Sequence, residues 1–350
     1  MINLVGTPAD ELRQVLAPVL DRPYRVNQVI SWIIDRRATT FAEMTDLPKE
    51  LRRELGSRFV LEDPVPLRIV TAADGCQKLL LGLADGTTIE AVVMPSGRKT
   101  TLCLSSQAGC ALSCAFCVTG RLGPGRNLTA AEMAGQYRVM LRTAPNELER
   151  VNLVFMGMGE PLLNTDNLGR ALAVLFRTVS PKRVTVSTAG VIPGIRWLGG
   201  LVRRPKLAVS LNAPDQERRE RLMPVARRYP LGELFDELRR FPLERGRRLT
   251  FEYVMIHAFN DEPADALALA RLLGPFPAKV NLIPLNLDPG FPPDLRPSSP
   301  ERIQAFVDCL RSRGLTATVR SSRGQDVAAA CGQLQGAATP DRAAVDLSRA

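Results

Sequence analysis

Seven short β-like runs alternate with amphipathic helical stretches between about residue 100 and residue 322. The runs are TTLCLSS (100–106), VNLVFMG (151–157), RVTVSTAG (183–190), KLAVSLN (206–212), TFEYVMI (250–256), KVNLIPLN (279–286) and TATVRSS (316–322). Between them lie TAAEMAGQYRVMLRTA, LGRALAVLF, LGELFDELRRF, ADALALARLL and SPERIQAFVDCLRSRG, whose apolar residues recur at helical spacing. A helix between two strands carries the chain back to its starting end, so such strands pair in parallel. The pattern predicts an α/β domain over 96–322, as an open doubly wound sheet or as a barrel. Six of the seven runs end on a polar residue or glycine, at the end where βα folds place their chemistry.

The flanks have other textures. ADELRQVLAPVL, VNQVISWIIDRR and DLPKELRRELGSRF predict helices in the first sixty or so residues. PLRIVTAADGCQKLLLGLADGTTIEAVVMP then alternates strand-like runs with Asp-Gly turns at 74–75 and 85–86, the signal of an antiparallel hairpin or small meander. Residues 1–95 are expected to form an N-terminal accessory domain of helices and β-hairpin. Residues 323–350 lose the strand pattern and read as a C-terminal loop and tail. No apolar run is long enough to cross a bilayer, and the opening MINLVGTPADELRQVL has no basic segment followed by an apolar one. Neither a membrane span nor an export signal is expected.

The cysteines are seven: Cys76, Cys103, Cys110, Cys114, Cys117, Cys309 and Cys331. An odd number, with three crowded into C-x3-C-x2-C, fits a secreted disulfide framework poorly. Three close thiolates after a strand end suit one iron–sulfur cluster, which then keeps one iron open for chemistry. Zinc is the alternative, and it asks for a fourth ligand from Cys103, Cys331 or the lone His257. GMGEP follows the next strand; its glycines permit close backbone approach, and Glu160 offers an anion to an ammonium group. Ser187, Ser210, Leu211, Asn212 and Asn286 stand at further strand ends, where such residues either cap helices or meet a ligand. Glu90 is an acid inside an apolar run, either a tuned base or an outward-facing strand residue. Cys76 and Cys309 read as packing residues.

C-x3-C-x2-C with Phe116 before its last cysteine resembles the radical S-adenosylmethionine superfamily. The finer resemblance is to the RlmN/Cfr family of dual-cysteine RNA adenine methyltransferases. It is carried by YRVNQVISWI, FAEMTDLPKELR, TLCLSSQAGCALSCAFCVTGRLG, RNLTAAEM, VNLVFMGMGEPLLN, VSTAGVIPGI, LAVSLNAPDQERRERLMPV, FEYVMI, VNLIPLN and RGQDVAAACGQL, in that order. Two departures are Gln325, where the family commonly has an acid, and Asn212, where it commonly has His. The resemblance implies a partial (β/α)6 barrel and a 4Fe-4S cluster on Cys110, Cys114 and Cys117. It implies S-adenosylmethionine bound by Gly159, Glu160, Ser187, Ser210, Leu211, Asn212 and Asn286, two molecules being used per turnover. Cys331 would carry the methyl group as S-methylcysteine, Cys103 would form a transient disulfide with it, and Glu90 would accept a proton.

The implied reaction is methylation of C2 of an adenosine in 23S rRNA, and of an adenosine next to the tRNA anticodon. One rival methylates C8 instead; a more distant one is a zinc-stabilised RNA-binding protein without catalysis. Charge agrees with a polyanionic partner: 46 basic against 36 acidic residues give a net +10. Forty of the basic residues are arginine, but pairs such as Arg36-Arg37, Arg218-Arg219 and Arg239-Arg240 read mostly as solvated faces. The resemblance further implies a reduced flavodoxin-type electron donor and a monomer. A cluster and free thiols call for the reducing cytoplasm.

Overall fold

The computed structural model describes residues 1–144 and 149–336. At the N-terminus, β1 (Ile2–Asn3) pairs in parallel with β2 (Phe59–Val60), and between them the chain winds through helices at Ala9–Leu16, Pro23–Ile30 and Lys49–Arg58. Their apolar faces form a core of their own, with Leu12, Leu16, Val29, Met44 and Leu55 at its centre. β3 (Val65–Thr71), β4 (Gln77–Gly82) and β5 (Thr88–Ser96) are an antiparallel meander. Both its Asp-Gly turns close as the sequence predicts. Asp74 and Asp85 accept the backbone N–H two residues on, each at 3.0 Å, and Gly75 and Gly86 take φ of +80° and +82°.

All seven predicted βα strands form: β6 (Lys99–Leu104), β7 (Arg150–Phe155), β8 (Val184–Thr188), β9 (Lys206–Ser210), β10 (Leu249–Met255), β11 (Ala278–Pro284) and β12 (Thr316–Val319). They pair in parallel in chain order. The meander is not a detached hairpin: β5 pairs with β6 antiparallel, so one ten-stranded sheet runs from β12 to β3. The sheet is an open, curled barrel. After β7 and β12 the chain ends meet across the interior, where Arg320 donates to the Met156 sulfur at 3.4 Å.

Alternation along each strand sorts the residues. In β10, Phe251, Tyr253 and Met255 are fully buried toward the outer helices. Phe251 stacks on Phe235 with ring centroids 6.0 Å apart, and Tyr253 packs on Phe306 at 5.4 Å. Glu252 and Val254, one step out of phase, face the interior cleft. Helix Ala130–Thr143 starts on a capping box in which Thr129 and Glu132 satisfy each other's backbone N–H groups. This helix also carries the seam with the N-terminal helices. Arg138, 4% exposed, reaches Asp63 at 2.6 Å and donates to the carbonyls of Ile33 at 2.6 Å and Ala38 at 2.7 Å.

Replacing Arg138 with Met should therefore uncouple the N-terminal helices from the barrel. Asp63 keeps Arg142 at 2.8 Å, which places the expected loss near the low end for a broken buried pair, about 3 kcal/mol. Urea unfolding monitored by circular dichroism measures it, and an unchanged midpoint would show that the seam does not rest on this side chain.

Candidate active site

The C-terminal ends of β6 to β11 open onto a cleft of about 940 Å³, its mouth included. The loop after β6 supplies Cys110, Cys114 and Cys117 to its wall. Opposite stand Gly159 and Glu160 after β7, Ser187 on β8, Ser210 and Asn212 at the end of β9, and Asn286 after β11. The sequence-derived set thus converges on one place, with three exceptions: Leu211, Glu90, and Cys103, which lines a neighbouring cleft. The Leu211 side chain packs in the hydrophobic core, and the residue does not line the cleft. Glu90 lines neither this cleft nor its neighbour. Its carboxylate pairs with Lys78 at 3.1 Å and accepts the Gln335 N–H at 2.9 Å.

Burial dominates the chemistry of the thiols. It pushes Cys110 up to about 11, Cys114 well above the ordinary thiol value, and Cys117 upward; Cys117 adds to the rise at Cys110 and Cys114, and Cys331 to that at Cys117. Such groups become thiolates only when a cation is present to stabilise them. Among the described residues no three His, Cys, Asp or Glu side chains gather closely enough to share a single metal ion. Three thiols carried on one loop are the donor chemistry of an iron–sulfur cluster, and the donor set fits that group.

Glu160 is held by design of the backbone. Its two oxygens accept N–H groups from Leu162 at 3.0 Å and Ala189 at 2.7 Å. Desolvation nevertheless raises it to about 7. The glycine at 159 serves packing as much as access: φ is +93°, and a Cβ there would lie 2.4 Å from the Gln107 side chain. Asn212, in the left-handed region at φ +60°, spends its side chain on the scaffold, accepting the Val254 N–H at 2.9 Å.

A second cleft lies beside the first. Cys103, Thr101, Met94 and the stretch from Val319 to Arg323 line it, and Cys331, Arg320, Asn286 and Cys117 border both. The Cys331 loop is thus the partition between them. Burial raises Cys103 to about 12, with Cys331 the next influence on it. All seven cysteines are free thiols. Cys76 is fully buried and Cys309 packs at the core margin, as expected for packing residues.

Four contacts fix the partition. Val118 N–H donates to the Gly332 carbonyl at 2.7 Å, and Thr119 Oγ1 to the Leu334 carbonyl at 2.5 Å. Asn286 Nδ2 donates to the Cys331 carbonyl at 3.0 Å, and Gln325 Nε2 donates in turn to Asn286 Oδ1 at 2.9 Å. The departure at Gln325 is thereby explained, since a carboxylate could not donate that bond. Arg320 is a residue the sequence did not single out. The Cys331 thiol, and then the Glu252 carboxylate and Cys103, hold its guanidinium raised. Arg219 overturns a sequence expectation outright: within a pair read as a solvated face, it is fully buried.

Comparison with known proteins agrees with this geometry. Residues 2–61 match the ribosomal RNA large subunit methyltransferase N-terminal domain (RlmN_N), and residues 104–270 match the radical SAM superfamily. The dual-specificity RNA methyltransferase RlmN of Geobacter sulfurreducens is 45% identical over 96% of this chain and 92% of its own length. That of Solidesulfovibrio magneticus is 46% identical over 96% and 97%. A crystal structure of a radical SAM methyltransferase from Sphaerobacter thermophilus superposes with a TM-score of 0.89, at 43% identity, over 96% of this chain and 99% of the other.

Gly332 offers a direct check on the partition. Its φ is +82°, and a Cβ would stand 2.8 Å from the Phe116 carbonyl oxygen. Gly332→Ala should cost about 1–3 kcal/mol in backbone strain, which loosens the loop by about five- to 140-fold. Alkylation of Cys331 by iodoacetamide, followed by peptide mass spectrometry, should accelerate to match; an unaltered rate would mean that the loop is held elsewhere.

Its paired matches, the radical SAM core and the domain specific to one branch, place the chain in the RlmN family of dual-specificity RNA methyltransferases, whose cofactors are a 4Fe-4S cluster and S-adenosylmethionine.

Proposed function

We propose that this protein methylates C2 of a specific adenosine in 23S rRNA, and of an adenosine next to the tRNA anticodon, through S-methylcysteine at Cys331. One observation carries the reading: the Cys331 loop divides a cleft lined by three thiols and Glu160 from a cleft lined by Cys103. A carrier thiol must face a methyl source on one side and an acceptor base on the other, and Cys331 borders both. The adenine C2 is an sp2 amidine carbon without nucleophilic character, so direct displacement at a sulfonium by that carbon fails and a carbon radical is needed.

Cys110, Cys114 and Cys117 would hold the cluster, which supplies one electron to the sulfonium of S-adenosylmethionine. Glu160 would receive the amino group of the methionine moiety, with Gly159, Ser187, Ser210, Asn212 and Asn286 around the same molecule and Leu211 included on resemblance alone. Cys331 Sγ takes a methyl group from a first S-adenosylmethionine by displacement. A second S-adenosylmethionine is consumed in removing one hydrogen from that methyl, and the carbon then joins the adenine ring while still bonded to sulfur. Cys103, on the base side, would give up its proton and bond to Cys331 Sγ as the S–CH2 bond breaks; C2 would lose its proton, the methylene carbon would gain one, and the remaining odd electron would pass back to the cluster. Glu90 keeps its place as proton acceptor on resemblance alone, since its carboxylate is engaged by Lys78 and Gln335. The three-part division at 95/96 and 322/323, a monomeric state, a flavodoxin-type donor and a cytoplasmic location complete the reading. Among the described residues no helix is long and apolar enough to cross a membrane.

Cys331→Ala should abolish methylation of rRNA and tRNA while leaving the visible absorption of the cluster intact. Full activity in that variant would end the proposal, and mass spectrometry of nucleosides made by the parent enzyme separates 2-methyladenosine from the 8-methyl isomer. A second outcome follows from Glu160. With the group at about 7, its anionic fraction rises about tenfold from pH 6 to pH 8. Affinity for S-adenosylmethionine, by equilibrium dialysis, should tighten across that interval, and Glu160→Gln should bind more weakly with a flat profile.

A further inference from the structure

Two buried arginines in this fold are treated in opposite ways. Arg138 has an ion pair with Asp63 and carbonyl acceptors for its other nitrogens. Arg219, on helix Gln216–Leu222, is 0% exposed. Its Nη2 donates to the Ala189 carbonyl at 2.6 Å and the Ser210 carbonyl at 3.4 Å. Its Nε and Nη1 are buried with no hydrogen-bond partner. Among the described residues no carboxylate pairs with it, whereas its neighbour Arg218 is bracketed by Asp215 and Asp265. A buried cation with free donors and no anion is costly and needs a charge that the polypeptide itself does not supply.

The surroundings show which charge. The helix that bears Arg219 lies against the loop of Cys110, Cys114 and Cys117. It is bonded to that loop where Ala115 N–H donates to the Leu222 carbonyl at 2.9 Å. Leu222 and Met223 pack with Leu112, Cys114, Ala115 and Phe116 in one apolar cluster. Space is kept for the guanidinium by Gly190: its φ is +104°, and a Cβ there would lie 3.0 Å from Nη2. The helix thus sets Arg219, with its two spare donors, beside the thiol loop.

We infer that Arg219 is the internal counter-cation of the cluster, held against the Cys114 corner to stabilise its reduced state. This rests on the assignment of Cys110, Cys114 and Cys117 as the ligands. A cluster on three thiolates is anionic, and one-electron reduction adds a further negative charge, so a fixed cation alongside raises its reduction potential. Arg219 is a positioning residue: it acts on the cluster's charge and touches no substrate.

The test uses full-length enzyme reconstituted anaerobically without S-adenosylmethionine, titrated electrochemically and read by electron paramagnetic resonance. Arg219→Met should retain the cluster but reduce at a more negative potential, by about 59 mV for each tenfold change in the one-electron equilibrium. Arg219→Lys, which keeps the charge, should recover most of the shift. An unchanged potential in a fully loaded Arg219→Met enzyme overturns the inference, including the case in which only affinity for S-adenosylmethionine falls. A variant that folds neither with nor without cluster assigns Arg219 to the scaffold and overturns it equally. Cys114→Ala is the separate control: if it still binds a full cluster, the ligand assignment has failed, not the counter-cation.

Discussion

The hydrogen bond from Val118 N–H to the Gly332 carbonyl joins the two segments on which everything else depends. One is the loop bearing three thiols; the other carries Cys331. The first has only the one-turn helix Val118–Arg121 and the second only a 3-10 turn at Gln325–Val327, so each is positioned by the other and by the strand ends beneath. Thr119, Asn286 and Gln325 repeat the bond in other directions, and on the meander side Lys78 donates to the Ala328 carbonyl at 3.3 Å. If this lattice of polar contacts opened, two clefts would merge into one. On the proposed mechanism, the separation of methyl source from acceptor base would go with it.

Electrostatics in the site follow from dryness more than from neighbouring charge. Desolvation is the largest influence on Cys103, Cys110, Cys114, Cys117 and Glu160, and in each case it favours the neutral form. An interior that penalises charge this strongly makes any ion placed there interact at long reach. Glu252 shows the same economy. It is buried, one of its oxygens accepts from Asn281 at 2.9 Å, and the other has no partner.

Much of this was legible in the sequence, for identifiable reasons. Strand and helix periods differ sharply, so all seven βα strands were located by their runs of Val, Leu and Ile. Asp-Gly turns announced the meander. The thiol triad, Glu160 and the serines at strand ends were readable because position along a βα unit fixes which end of the sheet a residue reaches. The meander's continuity with the barrel was not readable, since edge pairing leaves no mark in a single strand. Nor was Arg219: arginine is ordinarily solvated, and only the third dimension shows that Gly190, Ala189 and the thiol loop close over it. Asn286 was readable as a site residue but not as the tether of the Cys331 loop, because its partner lies 45 positions away.

That distance has a consequence for biosynthesis. The C-terminal segment docks against residues made far earlier: Gly324 N–H bonds to Asp74, 250 positions upstream, and Gln335 to Glu90, 245 upstream. On a translating ribosome the sheet can assemble while the segment is still unmade, but the partition cannot exist until Gln335 has been added. A chain cut short before Gly324 therefore possesses the thiol triad without Cys331. On the proposed mechanism such a chain could expend S-adenosylmethionine but could not install a methyl group.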